Sequence, residues 1–321
     1  MRTPYRASVA VPGHTPVLLA EALALLDPQP GETALDCTAG LGGHAEALAL
    51  RIGPTGALIL CDLDPGNLAA SAARIAALAA PPRVVPIHGN FADLPRRLAE
   101  AGLAADAVIA DLGFASSQVD DPARGFSFQR DGPLDMRLDP SAPEPAADLV
   151  ARASEEELAS ILSEFGEERR ARSIARKLVA ARAAEPILTT GRLASLVRAA
   201  AGPRRRQDRI DPATRTFQAL RIAVNDELGS LERLLEAVTR AARAPGPASW
   251  LTPGARIGVI AFHSLEDRPV KRAFRDLTNA DLAEALTRKP VRAGENEQSR
   301  NPRARSARLR AIRLSRSSGE R

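Results

Sequence analysis

The sequence predicts an α/β fold, a parallel-rich, doubly wound sheet with an all-α domain inserted into it. Three observations carry this expectation. Short apolar runs and amphipathic helical stretches alternate through the first 112 residues, the pattern of parallel strands with helices on both faces. The alternation then stops: residues 114–145 are rich in Gly, Pro, Asp and Ser, and residues 146–201 carry helical signals and no strand. A strand signal returns at residues 256–262, as it would if one domain closed around an insertion.

Taken in order, residues 17–26 place apolar side chains at 18, 19, 22, 25 and 26, one face of a helix. Residues 33–37 form a short apolar run that leads into glycines, and residues 45–52 read as a helix. A buried strand at 57–61 ends at Asp62; helix 67–79, strand 83–88, helix 94–101 and strand 107–110, ending at Asp111, follow. In the insertion Glu155, Glu156 and Glu157 open one helical segment, and Ile174, Leu178, Leu193 and Leu196 mark others. Residues 215–242 read as one long helical stretch, 268–277 as a helix and 309–314 as a closing strand. The expected division is 1–117, the first part of the α/β domain; 118–213, the helical insertion; and 214–321, the second part with a basic tail.

Of the 321 residues, 45% are apolar, enough for a sizeable core, but only 3% are aromatic, so Ala and Leu must fill most of it. The net charge of +5 is modest and unevenly placed. Residues 300–321 hold eight Arg against one acid, Glu320, and Arg204, Arg205 and Arg206 form a second cluster with Arg209. Such clusters suit a polyanion, although a solvated face with a basic tail would look the same. Cys37 and Cys61, the only cysteines, offer neither metal-ligand spacing nor a disulfide framework. Their apolar surroundings predict buried free thiols and a reducing, cytoplasmic compartment. Residues 1–12 lack the apolar stretch of a secretory leader, and no apolar run reaches transmembrane length.

The feature with the most chemistry is the turn Asp36-Cys37-Thr38-Ala39-Gly40-Leu41-Gly42-Gly43-His44, between a strand and a helix. Glycines let a backbone turn sharply and bring a ligand against it. Asp62 ends the next strand, 22 residues after Gly40, where an acid can accept hydrogen bonds from both ribose hydroxyls of a nucleoside. Gly40, Gly42 and Ala45 also satisfy the dinucleotide fingerprint. On these residues alone a methyl donor such as S-adenosylmethionine, a nicotinamide dinucleotide and a purely structural turn all stay open.

Nine motifs in order narrow the choice: His14-Thr15-Pro16-Val17-Leu18; Gly42-Gly43-His44; Asp62-Leu63-Asp64; Asp111-Leu112-Gly113 with Ser116-Ser117-Gln118; Arg124-Gly125-Phe126-Ser127-Phe128; Gly132-Pro133-Leu134-Asp135-Met136-Arg137; Phe217-Gln218-Ala219-Leu220-Arg221-Ile222 with Val224-Asn225; Phe262-His263-Ser264-Leu265-Glu266-Asp267-Arg268; and Asn301-Pro302-Arg303-Ala304-Arg305-Ser306. Together they resemble the MraW family, the ribosomal RNA small subunit methyltransferases H, from His14 to Arg310. The resemblance implies a Rossmann-like class I methyltransferase that uses S-adenosylmethionine to methylate N4 of a cytosine in the decoding region of 16S rRNA. By the same resemblance the cofactor contacts fall on Gly42, Gly43, His44, Asp62, Phe91, Asp111 and Gln118. Phe114-Ala115 departs from the small or branched pair usual in the family, which bears on the wall beside the target base, and the segment between Phe274 and Thr287 is short.

Methylating an aromatic amine needs no covalent intermediate and no metal; the amine must be held in line and charge developing on nitrogen favoured. Asp111, at a strand's carboxyl end, can serve the target amine or the cofactor's own amino group, and the resemblance favours the second. His263 and Ser264, just past another strand, sit at the same edge, where His263 can relay a proton or meet a phosphate. These three are the catalytic candidates, though a lone His after a strand is more often structural. Phe126 and Phe128, aromatics in a Gly/Ser loop, are candidates for stacking on an unpaired base, with core packing the bland alternative. Arg204, Arg205, Arg206, Arg303 and Arg305 are candidates for phosphate contacts. The expected partner is 16S rRNA, within the small ribosomal subunit, with no membrane; helix-rich insertions also serve dimerisation, so a homodimer stays open. A dinucleotide-dependent oxidoreductase and a non-catalytic RNA-binding or assembly factor are the rival classes.

Overall fold

The computed structural model describes residues 16–202 and 211–316. The chain divides into two compact units, residues 1–113 with 230–321 and residues 114–229. The first stretch runs α1 (Leu19–Leu26), β1 (Thr33–Asp36), α2 (Gly43–Ile52), β2 (Ala57–Asp62), α3 (Pro65–Ala76), β3 (Arg83–His88), α4 (Leu94–Glu100) and β4 (Ala105–Asp111). Six helices follow, α5 (Ser116–Asp120), α6 (Ala146–Arg152), α7 (Glu155–Glu164), α8 (Ala171–Ala184), α9 (Thr190–Ala201) and α10 (Pro212–Asn225). The last stretch is α11 (Glu227–Arg243), β5 (Leu251–Ala261), α12 (Ser264–Asn279), β6 (Ala283–Ala285), α13 (Glu295–Arg300) and β7 (Arg308–Leu314).

In the α/β unit the strands form one sheet in the order β3-β2-β1-β4-β5-β7-β6. The pairs among β1 to β5 are parallel, with Leu35 opposite Ile59 and Val108; β7 runs antiparallel to β5 and β6. Both faces of β1, β2 and β4 are covered, so their central residues read as apolar runs. Alternate residues serve opposite faces. Leu35, Ile59, Val108 and Val259 pack with Leu94 and Leu98 of α4, Leu231 and Leu234 of α11 and Phe274 of α12. Ala34, Leu58, Leu60 and Ile109 pack with Leu26 of α1, Leu48 and Ile52 of α2 and Ile75 of α3. Each such Leu or Ile contributes about 1.5–3 kcal/mol by leaving water. The chain steps outward from β1 to β3 and then crosses back to β4. The carboxyl ends of β1 and β4 therefore flank the switch point of the sheet, where open α/β sheets bind ligands.

The helical unit has its own core, built on Leu158 and Leu162 of α7, Ile174 and Leu178 of α8, Leu193 and Val197 of α9 and Phe217 and Leu220 of α10. Its helices start on caps: the Ser154 hydroxyl accepts from the Glu157 amide, the Thr189 hydroxyl from the Arg192 amide, and the Asp211 carboxylate from the Ala213 amide ahead of Pro212. The Gly/Pro stretch after β4 is tied down. Asn225 accepts from the Leu138 amide at 2.7 Å and donates to the Met136 carbonyl at 2.7 Å, while Arg124 donates to the carbonyls of Arg137 and Leu138.

Several elements differ from the sequence expectation. The stretch 215–242 is two helices, broken at Asp226, whose φ of 47° is left-handed and ends α10. Helix α10, expected in the second part of the α/β domain, buries Ala213, Phe217 and Leu220 in the helical core. The unit boundary falls at 229/230, inside α11. Strand β6 and helix α13 carry no periodic signal, because three residues and a polar hexamer are too short to show one. Strand β7 begins at Arg308, so part of the expected basic tail belongs to the sheet. No described helix is long and apolar enough to cross a membrane.

Candidate active site

Three aspartates end three adjacent strands: Asp36 on β1, Asp62 on β2 and Asp111 on β4. The glycine turn leaves β1 between them. Gly42 has a φ of 82°, and a Cβ there would lie 3.1 Å from the Ser71 backbone; a Cβ on Gly43 would lie 2.3 Å from Pro16. Larger residues at either position would push α2 off its neighbours.

Asp62 is the organiser of the turn. Its Oδ2 accepts from the Gly40 amide at 2.7 Å and its Oδ1 from the Asp64 amide at 2.8 Å. The Asn67 side chain also donates to this carboxylate, which leaves room for one further donor among its roughly four lone-pair sites. Burial raises its carboxyl above the ordinary carboxylate range, against the pull of those two amides.

Asp111 is held at its amide, which donates to the Thr38 hydroxyl at 2.8 Å. Its Oδ2 lies 3.6 Å from Nδ1 of His44, and its Oδ1 is covered and has no hydrogen-bond partner. Burial, then the charges of Asp36 and Glu266, push its carboxyl well above the carboxylate range. Asp36 is pushed up to about 7, by burial first and by Asp62 as well, against the Thr38 amide. Its Oδ2 also has no partner. His44 is buried, with Nε2 3.0 Å from the Val17 carbonyl.

His263 and Ser264 stand where β5 passes into α12, at the same sheet edge. Glu266, two per cent exposed, reaches back to accept from the amides of Phe262 at 2.7 Å and His263 at 3.3 Å, the return half of a capping box. Its other oxygen is 3.2 Å from Nε2 of His263. Phe91 sits half-buried in the turn after β3, against the sheet core. Asn90 beside it accepts from the Ala92 amide and donates to the Ser230 hydroxyl at 2.8 Å, fixing that turn to α11.

The α/β unit therefore brings together Gly42, Gly43, His44, Asp62, Asp111, His263 and Ser264 at one edge of its sheet. Gln118, Phe126 and Phe128 belong to the helical unit. Gln118 is buried and accepts from the Ala115 amide at 2.9 Å. Phe126 stacks on Phe114 with ring centres 5.6 Å apart, and Arg221 lies over Phe114 at 4.5 Å. Phe114 thus partners Phe126, the aromatic expected to stack on a base. Phe128 differs: it packs edge-on against Phe217 at 4.8 Å, at the margin of the helical core. Arg303 is half-buried and Arg305 exposed. Arg204, Arg205 and Arg206 lie outside the described residues.

Sequence reasoning passed over Asp36 and Glu266 as functional residues. Asp36 had the same signal as Asp62 and Asp111, an acid closing an apolar run, but it was absorbed into the glycine turn. Glu266 had only its position three residues into a helix. Among the described residues no group of His, Cys, Asp and Glu is arranged to hold a metal ion, and both cysteines are buried free thiols that burial pushes far up.

Residues 12–315 match the sequence model of the MraW methylase family. A ribosomal RNA small subunit methyltransferase H of Halorhodospira halophila is 51% identical over 320 residues, 94% of each chain. A protein of the same name from Thermomicrobium roseum is 48% identical, covering 93% of this chain and 92% of that one. Another from Acidobacterium capsulatum is also 48% identical, over 93% of this chain and 97% of its own.

Proposed function

The chain belongs to the MraW methylase family, and on that premise we propose that it transfers a methyl group from S-adenosylmethionine to N4 of a cytosine in the decoding region of 16S rRNA. The observation that carries this reading is the set of carboxyl groups around the glycine turn at the sheet's switch point. Asp36 and Asp111 each bury an acceptor oxygen without a partner, and Asp62, which accepts from Gly40, Asp64 and Asn67, has room for a further donor. Acceptors of this kind want O–H and N–H donors. The ribose hydroxyls and amino groups of S-adenosylmethionine supply them, so the donor set fits that molecule.

In this reading Asp62, Gly42, Gly43, His44, Phe91, Asp111 and Gln118 hold the cofactor, whose sulfonium supplies an electrophilic methyl group. The chain's own work is positional and electrostatic. The lone pair of a cytosine amine is delocalised into the ring, so the amine must be fixed in line and its developing positive charge offset. Glu266, with Asp36 and Asp111 once ionised, supplies negative potential there, and His263 and Ser264 stand beside it to orient the amine or accept its proton. Phe126 stacks on the extruded base, and Arg303 and Arg305, with Arg204 to Arg206, hold phosphates.

The test is methyl transfer from isotope-labelled S-adenosylmethionine to small ribosomal subunits lacking the modification, followed by mass mapping of nucleosides. Label on N4-methylcytidine in the decoding region is expected. Label on another base, or none, overturns the assignment. Calorimetry with S-adenosylmethionine and NAD separates this reading from the oxidoreductase, which requires the dinucleotide to bind.

A further inference from the structure

We propose that His44 and Asp111 hold a single proton between them, and that His44 is the positioning residue that sets whether Asp111 meets a ligand as a carboxylate or as a carboxylic acid.

The far side of the imidazole fixes the tautomer. Nε2 of His44 is 3.0 Å from the Val17 carbonyl, and a carbonyl only accepts. Nε2 therefore carries a hydrogen and donates it. In the neutral ring Nδ1 is then a bare lone pair. That lone pair faces Oδ2 of Asp111 at 3.6 Å. Two lone pairs 3.6 Å apart repel, and a proton on either atom turns the repulsion into attraction at ion-pair distance. The proton sits on Oδ2, giving a neutral acid and a neutral ring, or on Nδ1, giving an ion pair.

The ring cannot easily turn away. It belongs to the first turn of α2, where Gly43 packs on Pro16, and His44 is only 7% exposed. The peptide that supplies the Val17 carbonyl is itself pinned, because the Leu18 amide donates to Glu297 of α13 at 2.8 Å. The other charged groups around the pair favour keeping the proton. Asp36 on β1 and Glu266 on α12 both oppose a negative Asp111. Asp62 on β2 lies beyond Asp36, and His263 lies against Glu266. Glu46, two residues along α2, is closed off by Arg74 of α3. An unshared negative charge on Asp111 would join Asp36 and Glu266, and among the described residues His44 is the cationisable group in contact with it.

The consequence concerns the free oxygen. A donor arriving at Oδ1 strengthens the carboxylate form of Asp111. The proton then moves from Oδ2 of Asp111 to Nδ1 of His44, and none leaves the site. Asp111 can thus turn from acid to acceptor without exchanging a proton with solvent. This second half rests on the cofactor reading above; the proton sharing itself does not.

Long-range proton–nitrogen NMR of the full-length protein without ligand tests the sharing, with His44 assigned through His44→Gln. The expected result at pH 7 is a protonated Nε2 and an Nδ1 resonance displaced from the bare-lone-pair position towards the protonated one, with the displacement lost in Asp111→Ala. A bare Nδ1 in the wild type, or a proton on Nδ1 with Nε2 bare, overturns the proposal. Calorimetry of S-adenosylmethionine binding in buffers of different ionisation enthalpy tests the transfer. His44→Gln keeps an amide donor for the Val17 carbonyl but removes the proton's second seat. Wild type should release almost no proton, and His44→Gln about one per molecule bound. Equal release in both overturns the transfer. Failure of S-adenosylmethionine to bind at all sinks the proposed function and leaves the NMR result standing.

Discussion

Asp36→Asn preserves a side chain's shape while removing a charge the fold makes costly to hold. Asp36 is one per cent exposed, and among the described residues its carboxylate accepts one hydrogen bond, from the Thr38 amide to Oδ1 at 3.1 Å, which Asn can still accept. Its carboxyl is raised from 3.8 to about 7. The folded protein therefore holds a proton there that the unfolded chain releases at lower pH. Below about pH 4 both states are protonated and the group costs nothing. As pH rises towards 7 the unfolded chain gains more from ionising, and stability falls; above 7 the loss is complete. Roughly three pKa units correspond to about 4 kcal/mol, an upper bound because neighbouring Asp62 and Asp111 adjust their own protons. The expected outcome is near-equal stability of wild type and variant at pH 4, with the variant more stable by up to about 4 kcal/mol at pH 8. Urea unfolding followed by Trp250 fluorescence reads it cleanly, since Trp250 is the only tryptophan and lies buried in the core of the α/β unit. A difference that does not change between pH 4 and pH 8 would refute the reasoning.

Three further outcomes are expected. Asp267→Asn leaves Arg310, whose side chain is 11% exposed, without the carboxylate it holds at 2.7 Å, and should cost about 3–5 kcal/mol at pH 7. Burial raises the Asp267 carboxyl, but Arg310 and Arg308 together hold it below the ordinary value, so the difference should close as acid protonates wild-type Asp267; unfolding curves at pH 7 and pH 2.5 would show whether it does. Phe128→Ala should destabilise the helical unit by on the order of 3 kcal/mol, seen in thermal melts, whereas Phe126→Ala should slow RNA methylation, by about 1–3 kcal/mol of lost stacking, and leave S-adenosylmethionine affinity unchanged; equal loss of both functions in Phe126→Ala would remove the stacking role. RNA affinity should fall steeply with salt, and Arg305→Ala should lessen the slope of log affinity against log salt by about 0.7–0.9; a flat salt response removes the arginines from RNA binding.

Much of this molecule is legible in its sequence alone, and the residues explain why. Strands such as 57–62 and 107–111 announce themselves because both their faces are buried, so every position is apolar until the terminal aspartate. The glycine turn was legible because left-handed backbone at Gly42 and contact with Pro16 at Gly43 leave no other residue type. The core role of Phe128 and the inward turn of Arg308 and Arg310 were not. A Phe in a Gly/Ser loop and an Arg in a basic run look alike whether they face solvent or a partner distant in sequence, here Phe217 and Asp267.

By itself the sequence determined the layering, the strand ends that carry the acids, the inserted helices and the family, since each depends on local periodicity or on motifs in order. Tertiary structure alone decided the rest. It assigned α10 to the helical core, made β7 an internal antiparallel strand, and gathered Asp36, Asp111, His44 and Glu266 from four separate segments into one largely buried cluster. Charges that far apart in sequence have no influence on one another until folding removes the water between them, and only then do burial and neighbouring carboxylates decide where each proton sits.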